Sequence, residues 1–300
     1  MNIVILGAGA IGSLFGALLS KKNNVILIGR SIHINAIKKE NLIIEGFTQF
    51  KNKIPAVHSI SEIKICPDLI IITVKSYDTE SALKKARNII DKNTVILSFQ
   101  NGLDNIDKIG KIAVRKQIIA GTTTHGSIFQ KPGLIRHTGK GKTVIGELDG
   151  RKTGRIMKIL DVFNEVGIET KFSKNILKEI WIKTIVNSSI NPLTTIFQCK
   201  NGYLLENPLL ENIVKKVCEE STKIANSEGI YLSIEDMYQK TREVIDDTSE
   251  NYSSMFQSYK KGKKTEIESI NGNLIKIGKI NDVDITMNNI LIYMVNSMVN

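Results

Sequence analysis

The residues best suited to chemistry form a polar stripe on the segment 180–191, Ile-Trp-Ile-Lys-Thr-Ile-Val-Asn-Ser-Ser-Ile-Asn. On a helix of about 100° per residue, Lys183, Asn187 and Asn191 fall within about 80° of one another. Apolar residues share that face, so the stripe is expected to be buried, and a substrate could supply the partners that buried polar groups need. An ordinary helix whose lysine reaches water explains the same pattern. Pro192 predicts a kink or helix end at Asn191, which would leave only Lys183 and Asn187 firmly in the stripe.

Two further polar clusters contain residue types that bind small molecules. Asn251 and Ser254 lie close together, and Glu266 follows twelve residues after Ser254. A helix cap followed by a charged helix would give the same pattern, so a structural role stays open. Asn101 stands before a glycine where a predicted strand ends, at the sheet edge where ligands bind in α/β folds.

A glycine-rich loop near the start of the chain has the pattern GxGxxG. It follows a short apolar strand and opens a helical segment, which is the context that dinucleotide binding requires. Gly7 permits the tight turn, Gly9 lets the backbone approach a pyrophosphate, and Gly12 allows the helix to pack closely on the strand. A glycine-rich turn without a ligand is the alternative. The candidate cofactor-binding residues of the loop are Gly7, Ala8, Gly9, Ala10, Ile11 and Gly12.

Two basic residues after other predicted strands favour NADPH as the cofactor. An NAD enzyme carries Asp or Glu about twenty residues past the glycines, whereas this chain has Arg30 followed by Ser31. A guanidinium can clasp a 2′-phosphate, but it cannot accept a hydrogen bond from a ribose hydroxyl. Lys75 follows the strand at 69–73 and is a candidate contact for the cofactor phosphates or a substrate carboxylate. Both residues could also be ordinary surface charges.

The elements that must position these residues differ between the two halves of the chain. In the first half, short apolar runs alternate with helical patterns, which predicts a parallel sheet with crossover helices. Strands are predicted at 3–6, 25–28, 69–73, 95–98 and 118–120, helices at 10–20 and 79–90, and antiparallel strands completing the sheet at 127–129, 134–137 and 143–145. In the second half, helices are predicted at 176–190, 209–228, 234–248, 252–261, 265–280 and 287–299.

The fold class that follows is α/β, with two domains in 300 residues. An N-terminal Rossmann-type dinucleotide-binding domain, 1–170, precedes an all-helical substrate and catalytic domain, 171–300. A ligand is expected in the crevice between the domains, beyond the carboxyl ends of the parallel strands.

The composition excludes several classes of protein. With 42% hydrophobic and 24% charged residues, and only 5 prolines, the chain is globular rather than disordered. The net charge of +11 comes from scattered lysines rather than one arginine-rich block, which argues against nucleic-acid binding and favours attraction of anionic metabolites. No apolar run reaches the roughly 18 residues of a membrane span, and the N-terminus lacks the features of a signal peptide.

The cysteines bear on metal binding and on the compartment. Cys66, Cys199 and Cys218 are odd in number and have no CxxC spacing, so neither a disulfide framework nor a cysteine-rich metal site is predicted. A reducing cytoplasm fits this usage best. The sequence is compatible with a monomer or a homodimer.

The chain resembles the ketopantoate reductase (2-dehydropantoate 2-reductase) family over essentially its whole length. The resemblance covers the glycine loop, Lys75 and many further short motifs in order and spacing. These are 99–102, 121–125, Gly139 after His137, 181–183, 186–187, 190–194, 201–202, 253–255 and 265–267. The segments 30–60 and 200–250 match weakly, so the details of the substrate stay open.

The resemblance implies an activity and a role for each candidate residue. Members of the family reduce the 2-keto group of ketopantoate to pantoate with NADPH, a step towards pantothenate and coenzyme A. By resemblance Lys183 is the catalytic acid, and Glu266 is among the residues around the substrate. As the second catalytic candidate, Glu266 could orient Lys183 or accept a hydrogen bond from a substrate hydroxyl. The other residues around the substrate would be Asn101, Asn187, Asn191, Asn251 and Ser254, and Asn101 could also hold the nicotinamide ribose.

Two other functions remain compatible with the sequence. A reductase of another branched 2-keto acid could use the same scaffold, because pocket shape sets the substrate. A regulator that binds NADPH without catalysis would need the glycine loop and Arg30, but it would not need Lys183 together with Glu266. The expected partner is thus a small-molecule 2-keto acid, with no metal, nucleic acid or membrane.

Overall fold

The computed structural model describes residues 1–298 and divides the chain into two units. Unit 1 comprises Met1–Gln100 and Asn105–Glu179, and unit 2 comprises Asn101–Asp104 and the chain from Ile180 onward. The sequence predicts a boundary between 170 and 171, whereas this division falls after Glu179. Each unit has its own hydrophobic core.

Unit 1 is built on a sheet of eight strands. In chain order the strands of the unit are β1 (Asn2–Leu6), β2 (Asn24–Ile28), β3 (Leu42–Gly46), β4 (Phe50–Asn52), β5 (Ala56–Val57), β6 (Leu69–Ile72), β7 (Val95–Ser98), β8 (Ile118–Thr123), β9 (Gly126–Lys131), β10 (Leu134–Gly139), β11 (Thr143–Glu147) and β12 (Thr170–Phe172). The large sheet has the order β12-β11-β8-β7-β6-β1-β2-β5, and its pairs are parallel except β11 with β8. The predicted parallel sheet is confirmed.

The apolar strands of this sheet bury both of their faces. Ile3 and Ile5 belong to one core cluster, whereas Val4 and Leu6 belong to another. Successive side chains of a strand point to opposite faces, so an uninterrupted apolar run indicates a strand covered on both sides. The helices of the unit are α1 (Ala10–Leu19), α2 (Ser31–Glu40), α3 (Thr79–Ala86), α4 (Asn105–Gly110) and α5 (Gly154–Asn164).

The prediction that the segments 127–129 and 134–137 complete the large sheet is wrong. They lie in β9 and β10, which belong to a second sheet of order β4-β3-β10-β9, and only the segment 143–145 joins the large sheet, as part of β11. In β10, Ile135 and His137 are buried while Arg136 between them is exposed. Such alternation suits a sheet with one covered face, and the large sheet requires two.

Unit 2 is helical, as predicted. Its helices are α6 (Ile176–Ile196, which begins in unit 1), α7 (Tyr203–Glu206), α8 (Pro208–Ser227), α9 (Ile234–Asp247), α10 (Ser254–Tyr259), α11 (Ile267–Ile280) and α12 (Thr286–Ser297). Residue 299, the end of the last predicted helix, lies outside the described residues. The core of the unit includes Trp181 and Ile185 of α6, Val214 of α8 and Leu274 of α11.

Of the two alternatives predicted at Asn191, the helix end is wrong, because α6 continues through Pro192 to Ile196. A proline has no N–H and therefore cannot bond the carbonyl four residues earlier, which here belongs to Ser188. The side chain of Asn271 supplies the missing donor, since its Nδ2 lies 3.1 Å from Ser188 O. The polar stripe therefore keeps its three members on one helix.

The described residues contain neither a candidate membrane span nor a candidate metal cluster. Within residues 1–298, no helix has both the length and the hydropathy needed to cross a bilayer. The same part of the chain holds no group of three or more His, Cys, Asp or Glu side chains arranged to bind a metal ion.

Candidate cofactor and substrate site

The glycine loop lies in unit 1 between β1 and α1, and two of its glycines are required by the fold itself. Gly7 has φ of +114°, and a Cβ built on it would lie 2.5 Å from Val74 N. A Cβ on Gly12 would lie 2.1 Å from Gly7 O. Neither position can accept a side chain without backbone movement, so the strand, the loop and the helix pack closely together here.

Gly9 has a different environment. A Cβ built on it would have no described atom within 4 Å, and its φ of −84° is one that any residue can adopt. Gly9 is the N-cap of α1, no side chain caps this helix start, and the first turn carries no acidic residue. Open space beside uncapped N–H groups suits an anion, so the loop fits the pyrophosphate of a dinucleotide.

The two basic residues lie at the same sheet edge as the loop. Arg30 follows β2 and Lys75 follows β6, and both strands pair in parallel with β1. Arg30 is exposed and directly precedes α2, while Lys75 is partly buried. A guanidinium free to reach into solvent at this edge suits a ribose 2′-phosphate.

Gln100 and Thr73, which are not among the candidate residues predicted from the sequence, hold this edge together. Thr73 Oγ1 donates to Gly7 O at 2.8 Å, so β6 supports the glycine loop. Gln100 Nε2 lies 2.8 Å from Val74 O and 2.7 Å from Thr79 Oγ1. Gln100 thereby fixes the backbone beside Lys75. Its position directly after β7 was the available signal, but its target is 26 residues away in sequence.

We predict that Gln100→Leu raises the Kd for a nicotinamide dinucleotide several-fold, because the carbonyl of Val74 loses its donor and the Lys75 segment is no longer held. Fluorescence titration of the reduced dinucleotide measures this affinity. Gln117→Leu is the matched control, since Gln117 Nε2 donates to the carbonyls of Asp91 and Thr94 in the same unit. A Gln100→Leu protein that binds the dinucleotide as well as the control does would contradict the assignment.

In unit 2, helix α6 carries the three residues of the polar stripe. Lys183 and Asn187 are partly buried, and Asn191 is 5% exposed. The Nδ2 atom of Asn191 is buried and has no hydrogen-bond partner among the described residues. An unpaired buried donor costs stability, so this amide is suited to bind a ligand oxygen.

Glu266 and Lys183 form an oppositely charged pair in unit 2. Glu266 is 6% exposed and stands directly before α11. Burial lowers the pKa of the Lys183 amine to about 8, and the negative charge of Glu266 opposes that decrease. A lysine held in this way is mostly protonated at neutral pH and can still release its proton readily.

The segment that contains Asn101 also belongs to unit 2. Asn101 Nδ2 lies 3.4 Å from Glu266 Oε2. The next residue, Gly102, has φ of +95°, and a Cβ on it would lie 2.3 Å from Ser269 O in α11. Only glycine permits this close approach, which places Asn101 beside the first turn of α11.

The remaining two candidates, Asn251 and Ser254, have exposed side chains, in contrast to the buried Asn191 and Glu266. Asn251 O accepts a hydrogen bond from Asn201 N at 2.9 Å. Ser254 is the first residue of α10, whose N-cap Ser253 accepts a hydrogen bond of 2.7 Å from Thr194 Oγ1 of α6. Ser254 is thus tied to the helix that carries Lys183.

Two buried histidines of unit 1 bond each other. His125 Nδ1 lies 3.2 Å from His137 Nε2, which also lies 3.0 Å from Gly139 O. Thr48 Oγ1 is 2.8 Å from His137 Nδ1. Burial lowers the pKa of both rings, that of His125 to about 4, so both are neutral at pH 7. Their contacts connect the residue before β9 with β10 and the β3–β4 turn, which is a structural role.

Comparison with known proteins gives one consistent result. The family model described as ketopantoate reductase PanE/ApbA matches residues 3–150, and that described as ketopantoate reductase PanE/ApbA C terminal matches residues 175–299. A 2-dehydropantoate 2-reductase of Pyrococcus abyssi is 43% identical over 294 residues, which cover 97% of this chain and 95% of the relative.

Two solved structures share the fold over their whole length. One is a ternary structure of D-mandelate dehydrogenase with NADH and anilino(oxo)acetate, with a TM-score of 0.95 and 30% identity, covering 100% of this chain and 98% of that one. The other is a PanE/ApbA family ketopantoate reductase from Ralstonia eutropha JMP134, with a TM-score of 0.91 and 28% identity at the same coverage. With both halves matched by the family models, the chain belongs to the ketopantoate reductase family.

Proposed function

We propose that this protein reduces 2-dehydropantoate (ketopantoate) to pantoate with NADPH, a step in the biosynthesis of pantothenate and coenzyme A. The observation that carries the proposal is the Lys183–Glu266 pair, in a chain that is 43% identical to a 2-dehydropantoate 2-reductase. A protein that only bound the cofactor would not need a buried amine beside a carboxylate. The free cysteines fit the reducing cytoplasm that we propose as its location.

The residues of unit 1 would hold the cofactor. The N–H groups at the start of α1 would bind the pyrophosphate across Gly9, and Arg30 would bind the 2′-phosphate. Lys75 would add a positive charge at the same edge. Asn101, which belongs to unit 2, is the proposed contact for the nicotinamide ribose or the substrate. When bound, NADPH supplies the hydride that forms the new C–H bond at C2 of the keto acid.

Lys183 would provide the proton. As the C2–O double bond becomes single, the ammonium cancels the charge developing on the oxygen and transfers a proton to it, giving the hydroxyl of the product. The neutral amine then regains a proton from solvent. Glu266 would keep the ammonium form populated, because its negative charge stabilises the positive charge of Lys183.

The polar residues of unit 2 would hold the substrate. The buried Nδ2 of Asn191 offers an unpaired donor, and Asn187 lies one turn earlier on the same helix. Asn251 and Ser254, with their exposed polar groups, would bind the substrate carboxylate. Glu266 is better placed to accept a hydrogen bond from a substrate hydroxyl than to face that carboxylate, because two nearby anions repel each other.

The proposed function is tested by the oxidation of NADPH, followed by its absorbance, with ketopantoate and a panel of other 2-keto acids. We expect the highest kcat/KM for ketopantoate. The similarity to D-mandelate dehydrogenase favours a second candidate, the NADH-dependent reduction of a bulkier 2-keto acid, so the panel includes the keto acid of mandelate and is repeated with NADH. A higher kcat/KM for that pair of substrates would replace the proposal.

The predicted NADPH preference depends on Arg30. We expect Arg30→Ala to raise the KM for NADPH about ten- to hundredfold, because charge-assisted hydrogen bonds contribute roughly 1.5–3 kcal/mol. The KM for NADH should change little. Arg151→Ala is the control, since Arg151 is an exposed arginine of the same unit that pairs with Asp149. Equal changes for the two cofactors would exclude binding of the 2′-phosphate by Arg30.

The pH dependence of the reaction follows from the amine. The acid must be protonated, so we expect kcat for keto-acid reduction to fall as pH rises through about 8. The reverse oxidation of the hydroxy acid needs the neutral amine, and its kcat should rise over the same range. Steady-state rates in both directions between pH 6 and pH 10 provide the measurement. A reduction rate that stays constant to pH 10 would contradict the role of Lys183.

A further inference from the structure

A buried polar cluster in unit 2 lies outside the groups given a chemical role above. Its members come from four helices, and each is at most 5% exposed. They are Ser188 of α6, Glu220 and Ser221 of α8, Asn271 of α11 and Asn288 of α12. Buried polar side chains are in general hydrogen-bonded, and each member of the cluster makes at least one such bond, although Asn271 Oδ1 has no partner among the described residues.

One end of the cluster caps a helix. Glu220 Oε1 accepts hydrogen bonds from Asn288 N at 2.9 Å and Asn288 Nδ2 at 2.7 Å, and Glu220 Oε2 accepts one from Met287 N at 2.7 Å. Burial raises the pKa of the Glu220 carboxyl, and the hydrogen bonds from Asn288 and Met287 oppose that rise. Asn288 is thereby held in one orientation, with its Oδ1 2.9 Å from Asn271 Nδ2.

The other end of the cluster meets the break in the hydrogen bonds of α6. Pro192 leaves the carbonyl of Ser188 without its helical donor, and this residue is 0% exposed, so no water reaches it. Asn271 Nδ2 donates to that carbonyl at 3.1 Å. Because of Pro192, the carbonyl of Ser188 on α6 needs a hydrogen-bond donor from another helix.

The two helices joined by this bond are those that present the charged pair. Ser188 directly follows Asn187 on α6, and Asn271 lies in the second turn of α11, which starts directly after Glu266. We infer that Asn271 is a positioning residue that acts with Pro192: its bond to Ser188 O sets the spacing of α6 and α11, and thereby that of Lys183 and Glu266. This inference rests on the proposed function.

The loss of this bond should change catalysis in a specific way. The negative charge of Glu266 stabilises the protonated form of the Lys183 amine. A larger distance between the two groups weakens this stabilisation. For Asn271→Ala we expect kcat to fall about tenfold, because small displacements of catalytic groups are costly. We also expect the alkaline limb of the kcat profile to move to lower pH by about half a unit.

A double variant separates positioning from stability. Asn271→Ala alone leaves Ser188 O buried without a donor and should lower Tm. In Pro192→Ala with Asn271→Ala, the new N–H of residue 192 can bond Ser188 O, so we expect Tm to recover in part, while Asn288 Oδ1 still lacks the donor that Asn271 Nδ2 supplied. The link between α6 and α11 is still missing, so kcat and the alkaline limb should remain those of Asn271→Ala.

Each outcome of this experiment decides the inference. Thr241→Val is the matched control, because Thr241 is also 0% exposed and, among the described residues, bonds only to Met237 O of α9 at 2.8 Å and Cys218 Sγ of α8 at 3.6 Å. We expect this control to lower Tm without moving the alkaline limb. Recovery of kcat together with Tm in the double variant would show that Asn271 is merely structural and overturn the inference. A wild-type protein that reduces no keto acid would instead overturn the proposed function.

Discussion

Replacement of Lys183 by alanine should lower kcat for keto-acid reduction about 10²–10⁴-fold, which is the usual contribution of a positioned general acid. The effect should fall on kcat because the proton is transferred only as the carbonyl oxygen gains charge. The Kd for NADPH should remain near the wild-type value, since the glycine loop and Arg30 belong to unit 1. Stopped-flow single-turnover rates and a fluorescence titration measure the two quantities separately.

Two variants make this prediction about Lys183 sharper. Lys183→Met keeps most of the side-chain volume and should lose as much activity as Lys183→Ala, which excludes a packing effect. Lys216→Ala removes an exposed lysine of α8 and should leave kcat unchanged. If both Lys183 variants kept more than about a tenth of wild-type kcat, the loss would be smaller than the contribution of a general acid. The proton transfer would then belong to another group.

Substitution of Gly9 by alanine should weaken NADPH binding about a hundredfold without lowering Tm. The backbone of Gly9 suits any residue, and its Cβ would meet no described atom within 4 Å, so the fold tolerates the methyl group. The same methyl group would occupy the space that the pyrophosphate needs, and such overpacking costs about 1–3 kcal/mol or more. Isothermal titration with NADPH and a thermal melt provide the test.

Gly12→Ala is the natural comparison for Gly9→Ala, because its Cβ would lie 2.1 Å from Gly7 O. This variant should lose both Tm and cofactor affinity, whereas Gly9→Ala should lose affinity alone. If Gly9→Ala bound NADPH as tightly as the wild-type protein, the pyrophosphate would have to lie elsewhere.

Features encoded by neighbouring residues could be predicted from the sequence. The parallel strands are continuous apolar runs, and the helices of unit 2 show a regular period, so both were predictable. The second sheet was not, because Leu134–Gly139 pairs with Leu42–Gly46, about ninety residues away, and Leu42–Gly46 shows no clear strand pattern. Pairing over such a distance depends on the assembled fold.

The candidate site shows the same division between local and distant information. The helical period correctly placed Lys183 and Asn187 on one helix, but the predicted helix stopped at residue 190, before Pro192, whereas α6 continues to Ile196. The compensating donor is Asn271, 83 residues from Ser188, and no local pattern announces it. Gln100 was missed for the same reason, since its importance depends on a backbone carbonyl of another loop.

Unit 2 is discontinuous in sequence, because Asn101–Asp104 belongs to it although the rest of 1–179 belongs to unit 1. Leu103 packs against the core of unit 2, and Gly102 is fitted to Ser269 of α11. Recombination between two relatives at a single crossover near residue 180 would therefore take residues 101–104 from one parent and the helices of unit 2 from the other. Chimeric proteins should function better when these four residues are inherited with the C-terminal parent.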